Sequence, residues 1–168
     1  MFICIGNRRI EYTACTSNPD GEWVLQHARN LLMDLEDRGQ RPRVLIHDRD
    51  SKFSRAFDAV FRSDGIRVIR TPVRAPNANA HIERWIGSVR RECLDRLLIF
   101  NRRQLERILR VYVRHYNAQR PHRSLDLAAP DPPAITSIRV QAASEAIAIR
   151  RRDLLGGLIH EYEAAAAA

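Results

Sequence analysis

"RVLIHDRDSKFSRAF", residues 43–57, is the stretch on which the fold turns. Val44, Leu45 and Ile46 form a short apolar run, read as a buried strand. The run ends in two aspartates, Asp48 and Asp50, and a helical pattern follows at once. Residues 44, 46, 48 and 50 share one face if the strand runs that far. A carboxylate at the carboxyl end of a strand stands where open α/β sheets gather ligand groups. Asp50 directly precedes "SKFSRAF" and is expected to N-cap that helix. Asp48 is then the candidate ligand, with a turn aspartate as the competing reading.

Outward from this stretch the elements alternate. "FICI" and "IEYTACT" are β-prone runs separated by the turn "GNRR". "WVLQHARNLLMDLEDRG" places Val24, Leu25, Ala28, Leu31, Leu32 and Leu35 at helical spacing and stops at Gly39. "SKFSRAFDAVFRSDG" carries Phe53, Phe57, Val60 and Phe61 on one face and ends at Gly65. "IRVIRTPV" is a further strand and "RAPNANA" a loop. A long helix is expected over residues 80–98, and another over "RRQLERILRVYVRHYNAQR", ending at Pro121. The order β-β-α-β-α-β-α-α indicates an α/β or α+β fold with a mixed sheet. Residues 1–128 are assigned to one core-like domain. Residues 129–168 are assigned to a Pro/Ala-rich tail with a small hairpin around Gly156 and Gly157.

The 168 residues are 45% apolar and 29% charged, which is a globular composition. No apolar run approaches the ~20 residues of a membrane-spanning helix, and "MFICIGNRRIEY" lacks the pattern of a signal peptide. The chain is therefore read as cytoplasmic, without a membrane partner. Cys4, Cys15 and Cys93 fit neither a zinc pattern nor a disulfide framework and are read as buried, reduced thiols. The net charge is +8, carried by arginine with Lys52 as the only lysine. Such a balance favours a polyanionic partner, and nucleic acid is placed ahead of an anionic membrane surface.

Glu83 is the second acidic position. It stands in the first turns of the long helix, off the stripe of Ile82, Ile86 and Val89, and shares a face with Gly87 and Arg90. A carboxylate, a glycine and an arginine on one face suit a closely approaching phosphate. A solvated helix start, with glutamate favoured by the helix dipole, is the competing reading. Arg84, Arg90, Arg91, Arg102, Arg103, Arg110, Arg114, Arg120 and Arg123 make a basic series over the last two helices. Arg90 and Arg91, nearest Glu83, are assigned to DNA, and most of the others to a solvated face partnered by Glu92, Asp95 and Glu106. Trp23 and Trp85 are read as core, His122 as a turn residue beside Pro121.

Taken together, "DRDSKF", the 34 residues between Asp48 and Glu83, and "NANAHIERWIGSVRREC" resemble the integrase core of retroviral-type integrases and insertion-sequence transposases, the DDE enzymes. "YNAQRPHRSLDLAAP" is similar to the segment that follows the last core helix in many such transposases. The resemblance runs from about residue 2 to residue 133. It implies a ribonuclease-H-like mixed sheet flanked by helices, and metal-dependent cleavage and strand transfer of DNA. Asp48 and Glu83 would be catalytic metal ligands, and Asn77 or Asn79 would fill the family's asparagine position. Arg84, Arg90, Arg91, Asn77, Asn79 and Lys52 would contact DNA. In the family, carboxylates hold two Mg²⁺ or Mn²⁺ ions about 4 Å apart.

The first family aspartate lies on a strand upstream of the hairpin matched to "FICIGNRRIEYTACT". That first strand is not among these residues, and Glu11, Asp20 and Glu22 do not match its position. The chain is expected to be catalytically incomplete, which leaves its standing as an enzyme open. The alternative is a non-catalytic DNA-binding or assembly remnant of a transposase. A nuclease of the same fold is a third reading. The resemblance also implies a bacterial, nucleoid-associated protein that pairs with itself or with a full-length transposase.

Overall fold

A computed structural model describes residues 1–72, 79–133 and 149–164. Asn77 and most of the Pro/Ala-rich segment lie outside them.

A tight hairpin joins β1 (Phe2–Ile3) to β2 (Ile10–Tyr12). Helix α1 (Gly21–Asp37) starts where Asp20 accepts from Trp23 N at 2.8 Å and buries Val24, Leu25, Ala28, Leu31 and Leu35. It ends at Gly39, whose φ of +64° permits the paired terminal bonds Gly39 N to Glu36 O and Gln40 N to Leu35 O. Strand β3 (Val44–His47), helix α2 (Arg55–Ser63) and strand β4 (Arg67–Arg70) form a β-α-β unit whose strands pair in parallel, Val44 opposite Arg67. Helices α3 (Ala80–Glu92) and α4 (Arg102–Ala118) follow, then β5 (Ile149–Leu154) and β6 (Ile159–Ala164), an antiparallel hairpin turning at Gly156 and Gly157.

The core has two parts. One gathers Trp85, Val89 and Cys93 of the α3 segment, Ile108, Leu109, Tyr112 and Tyr116 of α4, and Ile10 and Ile159. The other packs α1 on α2 through Leu25, Ala28, Leu31, Phe57 and Phe61. The α/β class stands as read. The single mixed sheet does not appear among the described residues, where the strands form three separate two-stranded ladders. The reason is physical. β1 and β3 do not bond each other, because a cavity of about 1060 Å³ lies between them.

Two boundaries differ from expectation. Asp50 does not cap α2. Ser54 does, accepting from Phe57 N at 3.2 Å, while Asp50 bonds Lys52 in a turn of its own. The long helix over residues 80–98 breaks at Cys93 (φ −138°) and passes into a 3₁₀ turn, Leu94–Arg96. The break lets Cys93, Leu94 and Leu97 all reach the same core cluster, which a straight helix would carry past it. Cys93 is fully buried, whereas Cys4 and Cys15 are half-buried; all three are free thiols. Burial, then the nearby Glu92 charge, pushes the Cys93 thiol up to about 11. No helix among the described residues is long and apolar enough to cross a membrane.

Candidate functional site

β3 delivers Asp48 half-buried at its carboxyl end. The backbone on either side is tethered. His47 donates from Nδ1 to the Asp48 carbonyl at 2.6 Å and sets Nε2 3.0 Å from Asp58 Oδ1. Asp58 is 2% exposed and also accepts from Arg70 at 2.9 Å and Arg62 at 3.2 Å. Arg49 donates from Nε to the Thr71 carbonyl at 2.9 Å. A buried carboxylate held by one imidazole and two guanidinium groups is an expensive feature that removal of one partner would expose. Here it fixes the strand end that carries Asp48.

The Asp48 carboxylate itself has light duties. Oδ1 accepts from Asp50 N at 2.9 Å and Oδ2 from Asn79 Nδ2 at a long 3.4 Å. Asn79 is the first residue before α3, and its side chain makes no capping bond there. It reaches across to Asp48 instead and brings the start of α3 to the end of β3. Glu83 stands one turn farther along α3, about 6 Å of rise from Asn79 on the same face. It is exposed. Neither Asp48 nor Glu83 has an ion-pair partner among the described residues, and no group of three or more His, Cys, Asp or Glu side chains able to hold a metal ion occurs among them.

The basic residues divide. Lys52 turns back on Asp50, 2.7 Å from Oδ2, and its hydrogen bonds hold the Asp50 carboxyl below its ordinary value. Glu92, Asp95 and Glu106 take Arg120, Arg90 and Arg102 respectively, Arg90 at only 3.7 Å. Arg91 folds over Gly87, so close that a Cβ there would lie 2.9 Å from its guanidinium. That glycine makes room for an arginine rather than for a bare backbone. Arg84 is exposed and unpaired among the described residues. So are Arg103, Arg107, Arg110 and Arg114, whose 4-3-4 spacing makes one solvent-facing line on α4.

The Y-N…R-P-H segment proves to be a clasp. Tyr116 is core. Asn117 pairs with Ile10 as a strand would, donating to its carbonyl and accepting from its N–H, each at 2.9 Å. Arg120 grips Glu92 with two bonds of 2.6 and 2.9 Å, and Tyr112 donates to the same carboxylate at 2.7 Å. Burial works to raise the Glu92 carboxyl, and these bonds outweigh it and leave it below its ordinary value. His122 packs edge-on against Tyr116, 4.7 Å between ring centres. Trp85 is buried as read and Trp23 half-buried against His27.

Residues 64–130 match the family described as integrase core domain. Over that stretch the chain is similar to the integrase core family. Those residues hold Asn79, Glu83 and the clasp, while Asp48 precedes them. Over 107 residues the chain is 36% identical to an insertion element IS476 uncharacterized 39.2 kDa protein of Xanthomonas euvesicatoria, covering 63% of this chain and 31% of that one. Over 90 residues it is 30% identical to an insertion element IS407 uncharacterized 31.7 kDa protein of Burkholderia multivorans, covering 53% and 32%. The chain thus spans about a third of the length of the curated relatives it matches. No solved structure gives a significant match.

The His47–Asp58–Arg70 network escaped sequence reasoning. Its one signal is Asp58 itself, an acid set beside Phe57 on the apolar side of α2.

Proposed function

We propose that this chain is part of a metal-dependent DNA strand-cleaving and strand-joining enzyme of transposition, with a ribonuclease-H-like core. Asp48 and Glu83 are its acidic ligands. The observation that supports the reading is the reach of Asn79 to Asp48, which joins the end of β3 to the start of α3, the helix that carries Glu83. Two carboxylates without cationic partners suit a hard divalent cation such as Mg²⁺ or Mn²⁺. When bound, such an ion activates water or a 3′-hydroxyl and stabilises the leaving oxygen. Two acids suit one ion rather than a symmetric pair, so residues 1–168 by themselves bind metal weakly and do not complete strand transfer. Arg84, Arg90 and Arg91 then meet the DNA backbone beside Glu83, in sequence-independent, salt-sensitive contacts. Asn77 and Lys52 remain proposed DNA contacts.

The test is Mn²⁺-dependent nicking of a labelled duplex by the chain and by Asp48→Asn. The expected result is nicking at background in both. Clear, metal-dependent nicking by the parent chain would overturn the incompleteness, and its persistence in Asp48→Asn would overturn the role of Asp48.

A second reading, a non-catalytic DNA-binding or assembly module working with itself or a full-length transposase, is favoured by the unpaired line Arg103, Arg107, Arg110 and Arg114. It predicts duplex affinity that falls steeply with salt, and a flat profile would exclude a phosphate-contacting face.

A further inference from the structure

We propose that the connection between α3 and α4 is a second DNA site, which takes an unpaired base on Phe100 and the backbone beside it on Arg103 and Arg107. The site rests on DNA as the partner, but not on the cation reading of Asp48 and Glu83.

Leu98 and Phe100 are 78 and 82% exposed, the most exposed of the large apolar side chains among the described residues. Their neighbours behave differently. Leu97 and Ile99 pack against the core cluster of α3 and α4. The connection is extended at both ends, with φ −128° and ψ 141° at Leu97 and φ −154° and ψ 166° at Asn101. Alternate side chains of an extended chain face opposite ways, so burial of one pair turns the other pair out. Gln104 locks the arrangement. Its Oε1 accepts from Phe100 N at 2.9 Å and its Nε2 donates to Leu98 O at 2.8 Å, while its own backbone N–H donates to the Asn101 side chain at 2.9 Å. A phenyl ring held in water forgoes about 1.5–3 kcal/mol of burial, which a partner stacked on it recovers.

The surroundings set the partner's charge. A cleft of about 330 Å³ at the start of α4 is lined by Asn101, Arg103, Gln104 and Arg107. Arg102 is taken by Glu106 at 3.4 Å, whereas Arg103 and Arg107 have no carboxylate partner among the described residues. The two stand about 6 Å apart along the helix, and Arg110 and Arg114 carry the line to about 16 Å. A row of cations that long suits a linear polyanion better than a compact acidic partner. The apolar pair at its end selects within that class. Opening a base step in a duplex costs a few kcal/mol, whereas an unpaired base offers its face without that cost. Phe100 is then the stacking platform and Leu98 its apolar flank, and the arginines hold the phosphates that follow.

The experiment titrates the whole 168-residue chain into a labelled oligothymidine strand, an abasic strand of equal length and charge, and a duplex of equal length. Binding is read by fluorescence anisotropy over a range of salt. Phe100→Ala is expected to weaken the thymidine strand about fivefold or more and to leave the abasic strand unchanged, because only a base stacks. Phe100→Trp, which keeps a flat ring, should keep the parent's affinity. Arg103→Gln with Arg107→Gln should weaken both strands alike and lower the slope of log affinity against log salt by about 1.4. Every substituted side chain is exposed, so each variant should match the parent's circular dichroism. An equal loss on both strands in Phe100→Ala would overturn the base platform. Duplex binding as tight as that of the thymidine strand, and as dependent on Phe100, would overturn the preference for an unpaired base. Salt-sensitive binding that ignores Phe100 would remove the site and leave DNA as the partner, whereas binding of none of the three by the parent would remove both.

Discussion

The two halves of the molecule treat their strand edges in opposite ways. Around α3 and α4, every element is pinned. Asn117 covers the edge of β2, Arg120 and Tyr112 hold Glu92, and the β5–β6 hairpin docks through Ile159 and through Glu161, which meets His115 at 3.2 Å and also Arg152. Around β3, the opposite edge is bare and its isoleucine and valine face a cavity. Besides its ladder to β4 and the packing of Leu45, β3 is held by one polar knot at its far end, Asp58 with His47 and Arg70. The open half is thus stable where it presents Asp48 and unfilled beside it.

The sharpest way to break this contrast is at the knot. Asp58→Ala strands His47 and Arg70 without their acceptor and should cost about 3–5 kcal/mol by denaturant unfolding. A loss under 1 kcal/mol, on the order of an exposed ion pair, would show that β3 is held by packing after all. Next come two isoleucines. Ile108→Ala in the closed half should cost about 2–5 kcal/mol, and Ile46→Ala on the bare edge within about 0.5 kcal/mol. Equal losses would erase the distinction between the halves. Asn117→Ala frees both backbone groups of Ile10 and should cost about 1–3 kcal/mol, with faster amide exchange at Ile10.

The smallest effect is a pH dependence. Glu92 is held below its ordinary value, so its stabilisation is present above the unfolded glutamate range, about 4.3, and is lost as pH falls through that range and below it. Glu92→Gln should therefore destabilise the chain at neutral pH and flatten the acid limb of its stability curve. An unchanged limb would leave the Arg120–Glu92 clasp without energetic consequence.

Much of this was legible where local chemistry acts alone. Gly39, Gly65, Gly156 and Gly157 end or turn elements at positive φ, where the sequence placed helix ends and a hairpin. The start of α2 was misread because Asp50 and Ser54 both suit a cap, and only the Lys52 turn decides between them. The end of α3 was hidden because Leu97 continues the helical spacing while the chain bends to bury it. The distance along the chain from Asp48 to Glu83 is visible in the residues, but the bond that joins their elements runs through Asn79, and the knot behind Asp48 joins residues eleven apart with no periodic sign. The joined mixed sheet was expected from element order, and order says nothing of an unfilled place between two strands.

The central claim is that Asp48 and Glu83 form one cation site. Titration of Mn²⁺ into the chain, followed by calorimetry or by the electron spin resonance of the free ion, tests it most directly. The account predicts weak binding of a single ion, lost in Asp48→Asn and weakened about tenfold or more in Glu83→Gln, about 1.4 kcal/mol. Binding that both substitutions leave unchanged, in chains with the parent's circular dichroism, would contradict it.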